Sequence, residues 1–255
     1  VRGSGERTFE GFSADVIADR SIEWLDRRDS GRPFCMMTHF KSAHGPWHYA
    51  PRHAELFEDV QIPEPATLWE DLGHRSSGSR DFGFTMDHMA FRLADVTRGE
   101  WPVGEIDVRG LSREQRVRAG YQAFMKAYLR CIAAVDENVG RLLDELDRRG
   151  LAEDTLVVYT TDQGYFLGEH GYIDKRWMFE ESLRMPLLAR LPGEIPAGSV
   201  VDEIVLNTDL APTLLDYAGR ETPSYMQGRS AREVWRGEAP ADWRSSMYYR
   251  YWMQA

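Results

Sequence analysis

Long hydrophobic runs are missing from this sequence. No apolar stretch approaches the ~20 residues of a membrane-spanning helix, so no membrane span is expected within it. Cysteine is scarce as well. With only Cys35 in an apolar run and Cys131 in a helix-like run, no disulfide framework can be inferred, and the redox compartment stays open. Basic charge is in deficit: 31 Lys and Arg stand against 41 Asp and Glu, a formal net charge of −10, which argues against broad binding to nucleic acid or anionic membrane. An anionic substrate would need positive charge concentrated locally. The seven histidines form no His-Glu-x-x-His pattern and the cysteines are not paired at ligand spacing, so the usual zinc motifs are absent. Neither an internal repeat nor a signal-peptide pattern at Val1 to Gly5 is present.

What is there suits one substantial α/β domain: 255 residues with 42% apolar content can bury a large core. From Ser13 to about Arg28, Val16, Ile17, Ile22 and Leu25 fall on one helical face, with Ser13 as the expected N-cap. After Gly31 and Pro33, Phe34 to Phe40 reads as a short buried strand, followed by a loop from Lys41 to Pro51. Residues from about 60 to 110 show no sustained period and read as a long surface excursion. The strongest periodic signal comes next. Val117, Tyr121, Met125, Tyr128, Ile132, Val135, Val139, Leu142 and Leu146 alternate steps of four and three, with a capping box at Ser112 and Gln115 and a stop at Gly150. Thr155 to Thr160 reads as a buried strand, Met185 to Arg190 as another, and Asp209 to Gly219 as a short helix with Pro212 in its first turn. Helix followed by strand, twice over, predicts a mainly parallel sheet covered by helices on both faces, with ligands beyond the carboxyl ends of the strands.

Two loops leave such strand ends. Asp162 and Gln163 sit side by side before Gly164, and a carboxylate with an amide oxygen suits a hard cation such as Ca²⁺. Two ligands do not make a site, and alone they read better as a turn cap and a solvated amide. Beyond them, Gly168 to Arg176 is dense in ionisable groups, among which Lys175 or His170 could equally face a ligand or solvent. In the other loop, His44 lies in a turn held by Gly45 and Pro46, three residues after Lys41. A histidine can protonate a leaving alcohol and a lysine can neutralise an oxyanion, but a loop histidine is commonly plain surface, and His48 and His53 compete for the role.

Taken in order, Tyr159 through Asp162, Gln163, Gly168, His170 and Lys175 to Pro186 closely resembles the metal-and-lysine segment of the sulfatase family, in the alkaline phosphatase superfamily. Pro33 through Lys41 and His44 to Pro51 resembles the family's strand and histidine loop. Asn207 to Thr213 and Met226 to Ser230 match further segments in the family order. The resemblance implies an alkaline-phosphatase-like core. Residues 1–240 would belong to the catalytic α/β domain, and residues 241–255 would begin a C-terminal subdomain.

It also implies Asp162 and Gln163 as Ca²⁺ ligands, Lys175 on a sulfate oxygen, and His44 as proton donor to the bridging oxygen. Lys41 and His170 would be neighbours that contact substrate. The implied substrate is a sulfated small molecule or glycan, and the runs around Asp162 and at Tyr248 and Tyr249 look most like bacterial sulfatases acting on sulfated sugars. The family nucleophile is a formylglycine made in a Cys/Ser-x-Pro/Ala-x-Arg motif. Neither Cys35 nor Cys131 stands in one, so an internal fragment, inactive by itself, is expected. A phosphodiesterase or phosphonate hydrolase of the same superfamily, and a non-catalytic glycan-binding relative, are the alternatives.

Overall fold

The computed structural model describes residues 8–81, 83–94 and 106–250. Its elements run, in order, α1 (Ser13–Arg27), α2 (Ser77–Arg80), α3 (Met86–Ala94), α4 (Arg113–Arg148), β1 (Val157–Thr160), β2 (Phe166–Leu167), β3 (Ile173–Asp174), α5 (Glu180–Leu183), β4 (Leu187–Arg190), α6 (Asn207–Tyr217) and α7 (Arg232–Trp235). They fall into two units, one holding the chain up to Arg149 plus residues 166–174, the other holding residues 150–165 and the chain from Lys175 onward.

The first unit is built on α4. Its capping box is formed as the sequence predicts: the Ser112 hydroxyl accepts from the Gln115 N–H at 3.2 Å, and the Gln115 side chain accepts from the Ser112 N–H at 2.9 Å. Gly150, at φ +65°, follows its end. The buried stripe is rotated from the predicted one. Val117, Tyr121, Met125, Val135 and Leu146 are buried, but Phe124, Ala127, Cys131, Ala134 and Asn138 complete the face while Tyr128, Ile132, Val139 and Leu142 are half-buried. Both α1 and α3 pack on it.

Two expectations for this unit need correction. Ser13 is the first helical residue of α1 and not its cap; Phe12 holds the cap position without a side-chain bond, and burial falls on Ala14, Ala18 and Leu25. The stretch read as a surface excursion contains α3, whose Met86, Met89, Ala90 and Leu93 are buried against α4. These lie at i, i+3, i+4 and i+7, a helical stripe only nine residues long and therefore lost in a wide window. Gly120 is what lets the two helices touch, since a Cβ there would stand 2.6 Å from the Ala90 Cβ. Residues 82 and 95–105 of that excursion lie outside the described residues.

The α/β character holds, but the strand pairing differs from the predicted parallel sheet. Among the described residues both ladders are antiparallel, β1 with β4 and β2 with β3. Phe34 to Phe40 joins neither; Cys35 is exposed and Met37 is 73% exposed. An apolar run becomes a strand only where a partner strand meets its backbone groups, and among the described residues none pairs with this one.

In the second unit, Val158, Leu187 and Ala189 of the β1–β4 ladder, with Leu156 just before β1, pack with Ala231, Val234 and Trp235 at α7. Helix α6 begins at Asn207, so Pro212 lies in its second turn rather than its first, and Gly219 follows its end at φ +64°. The Asp209 carboxylate, fully buried, is satisfied by the Leu206 and Arg229 N–H groups, each at 2.8 Å, and by Arg244. No helix among the described residues is long and apolar enough to cross a membrane.

Candidate functional site

In the first unit, the loop after Phe40 is anchored by Trp47. Its indole is buried edge-on against Phe124 of α4, with ring centroids 4.6 Å apart, and its Nε1–H donates to the Ala43 carbonyl at 2.8 Å. This anchor leaves Lys41 and His44 exposed and brings them together: Lys41 Nζ lies 2.7 Å from His44 Nδ1, and the Gly45 carbonyl oxygen lies 2.7 Å from the same nitrogen. An ammonium has donors only, so it meets Nδ1 where that nitrogen carries no proton, while the carbonyl accepts only where Nδ1 is protonated. Either way the loop engages Nδ1, and Nε2 is the nitrogen left for chemistry. His53, a competitor by sequence, is occupied by Glu137 of α4 at 3.2 Å, within a network in which Arg52 also bonds Asp15 of α1.

His170 lies in the same unit but in a different setting. It stands in the β2–β3 hairpin at φ +57°, its N–H donating to the Thr67 hydroxyl at 3.1 Å and its Nδ1 lying 2.5 Å from Glu70 Oε2. Arg75 also bonds Glu70, at 2.7 Å. His170 first, then Arg75, holds the Glu70 carboxyl below the usual carboxylate range. A depressed folded-state pKa contributes stability above the unfolded value and loses it as pH falls through the folded value. Replacing Glu70 by glutamine is therefore expected to lower stability at neutral pH and to flatten its loss on acidification below the carboxylate range. Urea midpoints across that range check this, and an acid limb as steep as the wild type would refute it.

The second unit carries Asp162, Gln163 and Lys175. Asp162 is exposed and Gln163 half-buried just past β1, where Gly164 turns the chain into contact with α5. A Cβ at Gly164 would stand 2.2 Å from the Glu181 carbonyl oxygen, and the Gly164 N–H donates to the Ser182 carbonyl at 3.0 Å. Glycine is required there by close approach. Lys175 is half-buried with its Nζ 5.6 Å above the Tyr165 ring, so one aromatic two residues after Gln163 supports the lysine. Tyr165, Ser182 and Tyr249 are partners that the sequence pattern does not reveal.

Among the described residues no group of three or more His, Cys, Asp or Glu is gathered as a metal site. A carboxylate and an amide oxygen fit a hard cation chemically, but Ca²⁺ takes about six to eight oxygens, so Asp162 and Gln163 supply part of a site at most. Cys131 is buried, which pushes its thiol up to about 11 and makes it a poor nucleophile.

Residues 168–255 match the family model described as N-sulphoglucosamine sulphohydrolase, C-terminal. An N-acetylglucosamine-6-O-sulfatase of Bacteroides thetaiotaomicron is 38% identical over 277 residues, covering 95% of this chain and 50% of that protein. A solved structure of a protein in complex with its substrate D-glucosamine-2-N,6-O-disulfate superposes with a TM-score of 0.86 at 38% identity, over 96% of this chain and 56% of that one. The phosphonate monoester hydrolase of Silicibacter pomeroyi superposes with a TM-score of 0.67 at 28% identity, over 91% of this chain and 43% of its own. The chain thus spans about half the length of the curated relatives it matches.

Proposed function

This chain belongs to the sulfatase family, and on that premise we propose that the whole protein hydrolyses sulfate monoesters of sulfated sugars, with 6-O-sulfated glucosamine as the first substrate class. The observation that carries the reading is the 38% identity, sustained over 95% of the chain, to an N-acetylglucosamine-6-O-sulfatase. The substrate bound in the structural neighbour, D-glucosamine-2-N,6-O-disulfate, supports the same sugar.

In this mechanism Lys175 holds a non-bridging sulfate oxygen and offsets its negative charge in the transition state. His44, as the imidazolium with its Nδ1–H donating to the Gly45 carbonyl, presents Nε2–H to the bridging oxygen and delivers the proton that an alkoxide leaving group needs. Lys41, beside His44, adds positive charge next to the substrate. Asp162 and Gln163 would hold part of a Ca²⁺ site. When bound, the cation supplies Lewis-acid stabilisation of sulfate oxygens, and the formylglycine of the family, which neither cysteine of this chain matches, supplies the nucleophile. His170, whose Nδ1 lies 2.5 Å from Glu70, is a second candidate beside Lys41 for contact with the substrate.

A phosphonate monoester hydrolase is the second reading, favoured by the likeness to the Silicibacter pomeroyi enzyme. Initial rates of the full-length protein on N-acetylglucosamine 6-sulfate and on an aryl phosphonate monoester separate the two. Higher kcat/KM on the sulfate is expected; the reverse order would replace the first reading by the second.

A further inference from the structure

Arg176, the residue after Lys175, has a backbone φ of +114° although it carries a side chain. A non-glycine residue persists in that region only where its surroundings over-determine it. Here both of its peptide groups are pinned within the second unit: the Arg176 N–H donates to Ser182 Oγ at 3.0 Å, and its carbonyl accepts from the Tyr249 hydroxyl at 2.8 Å. Ser182, buried in α5, also accepts the Gly164 N–H through its own carbonyl at 3.0 Å. One serine therefore ties the turn that carries Asp162 and Gln163 to the backbone that carries Lys175, and Tyr249 closes the tie from more than seventy residues downstream.

We infer that Tyr249, acting with Ser182, is a positioning residue that holds the strained Arg176 backbone and thereby aims Lys175. The inference rests on the reading of Lys175 as the residue that meets sulfate. It assigns no contact with substrate to Tyr249.

Replacing Tyr249 by phenylalanine in the full-length protein deletes one hydroxyl and leaves the ring. The expected result is a fall in kcat/KM on an alkyl sulfate of ~10- to 100-fold, the scale of a misplaced reacting group, in a protein that still melts cooperatively. A purely structural hydroxyl would add its cost to any background. A hydroxyl that works through Lys175 would not, so in a Lys175→Ala background Tyr249→Phe should cost less than about twofold. A wild-type kcat/KM for Tyr249→Phe, or a cost that adds in full to that of Lys175→Ala, would overturn the inference while leaving the sulfatase reading intact. If Lys175→Ala itself turns over at the wild-type rate, the reading of Lys175 fails, and this inference with it.

Discussion

Lys175→Ala in the full-length protein is expected to lower kcat/KM for sulfate esters by ~10²–10³-fold, the range seen when one preorganised donor to a developing anion is removed. The non-bridging sulfate oxygens carry the ester's negative charge through the transition state, and an ammonium held in place before the reaction stabilises it without reorganisation. The structure supplies the holding: Tyr165 lies beneath the ammonium, and the next residue is bonded on both sides. Steady-state kinetics on one alkyl and one aryl sulfate measure the effect. Loss on both is expected, because the non-bridging oxygens are common to the two. A wild-type value on both would remove Lys175 from the site.

His44→Ala should separate those same substrates. An alkoxide leaves poorly unless protonated, so loss of a general acid is expected to cost ~10²–10⁴-fold on an alkyl sulfate. A nitrophenolate leaves unaided, and its rate should fall far less. The placement of His44 gives this expectation its physical basis: the Gly45 carbonyl lies 2.7 Å from Nδ1, where it accepts from the protonated ring, and Trp47 fixes the loop on Phe124. Equal losses on both substrates would reject the proton-donor role and leave His44 as a binding residue.

The parts of the fold legible in the sequence are those set by neighbours three or four residues apart. Helix α4, its Ser112–Gln115 capping box and the stop at Gly150 are of this kind, because capping and amphipathic burial repeat with the helical period. Helix α3 was legible in principle from Met86, Met89, Ala90 and Leu93, but a nine-residue stripe is diluted by the polar sequence around it. Phe34 to Phe40 shows the opposite failure, since an apolar run reports a wish for burial and says nothing about whether a strand partner exists.

By itself, then, the sequence determined the main helix and its cap, the strands at Val157 to Thr160 and Leu187 to Arg190, and the ordered run from Asp162 to Lys175 that carries the family resemblance. Only the tertiary structure decided that those strands pair antiparallel, that His170 is engaged by Glu70, and that Lys175 rests on Tyr165 beside a backbone held by Ser182 and Tyr249. The reason is the range of the forces. Helical period and capping are satisfied within one or two turns of chain, whereas a ladder register or a bond between residues 73 positions apart exists only after the intervening loops have closed.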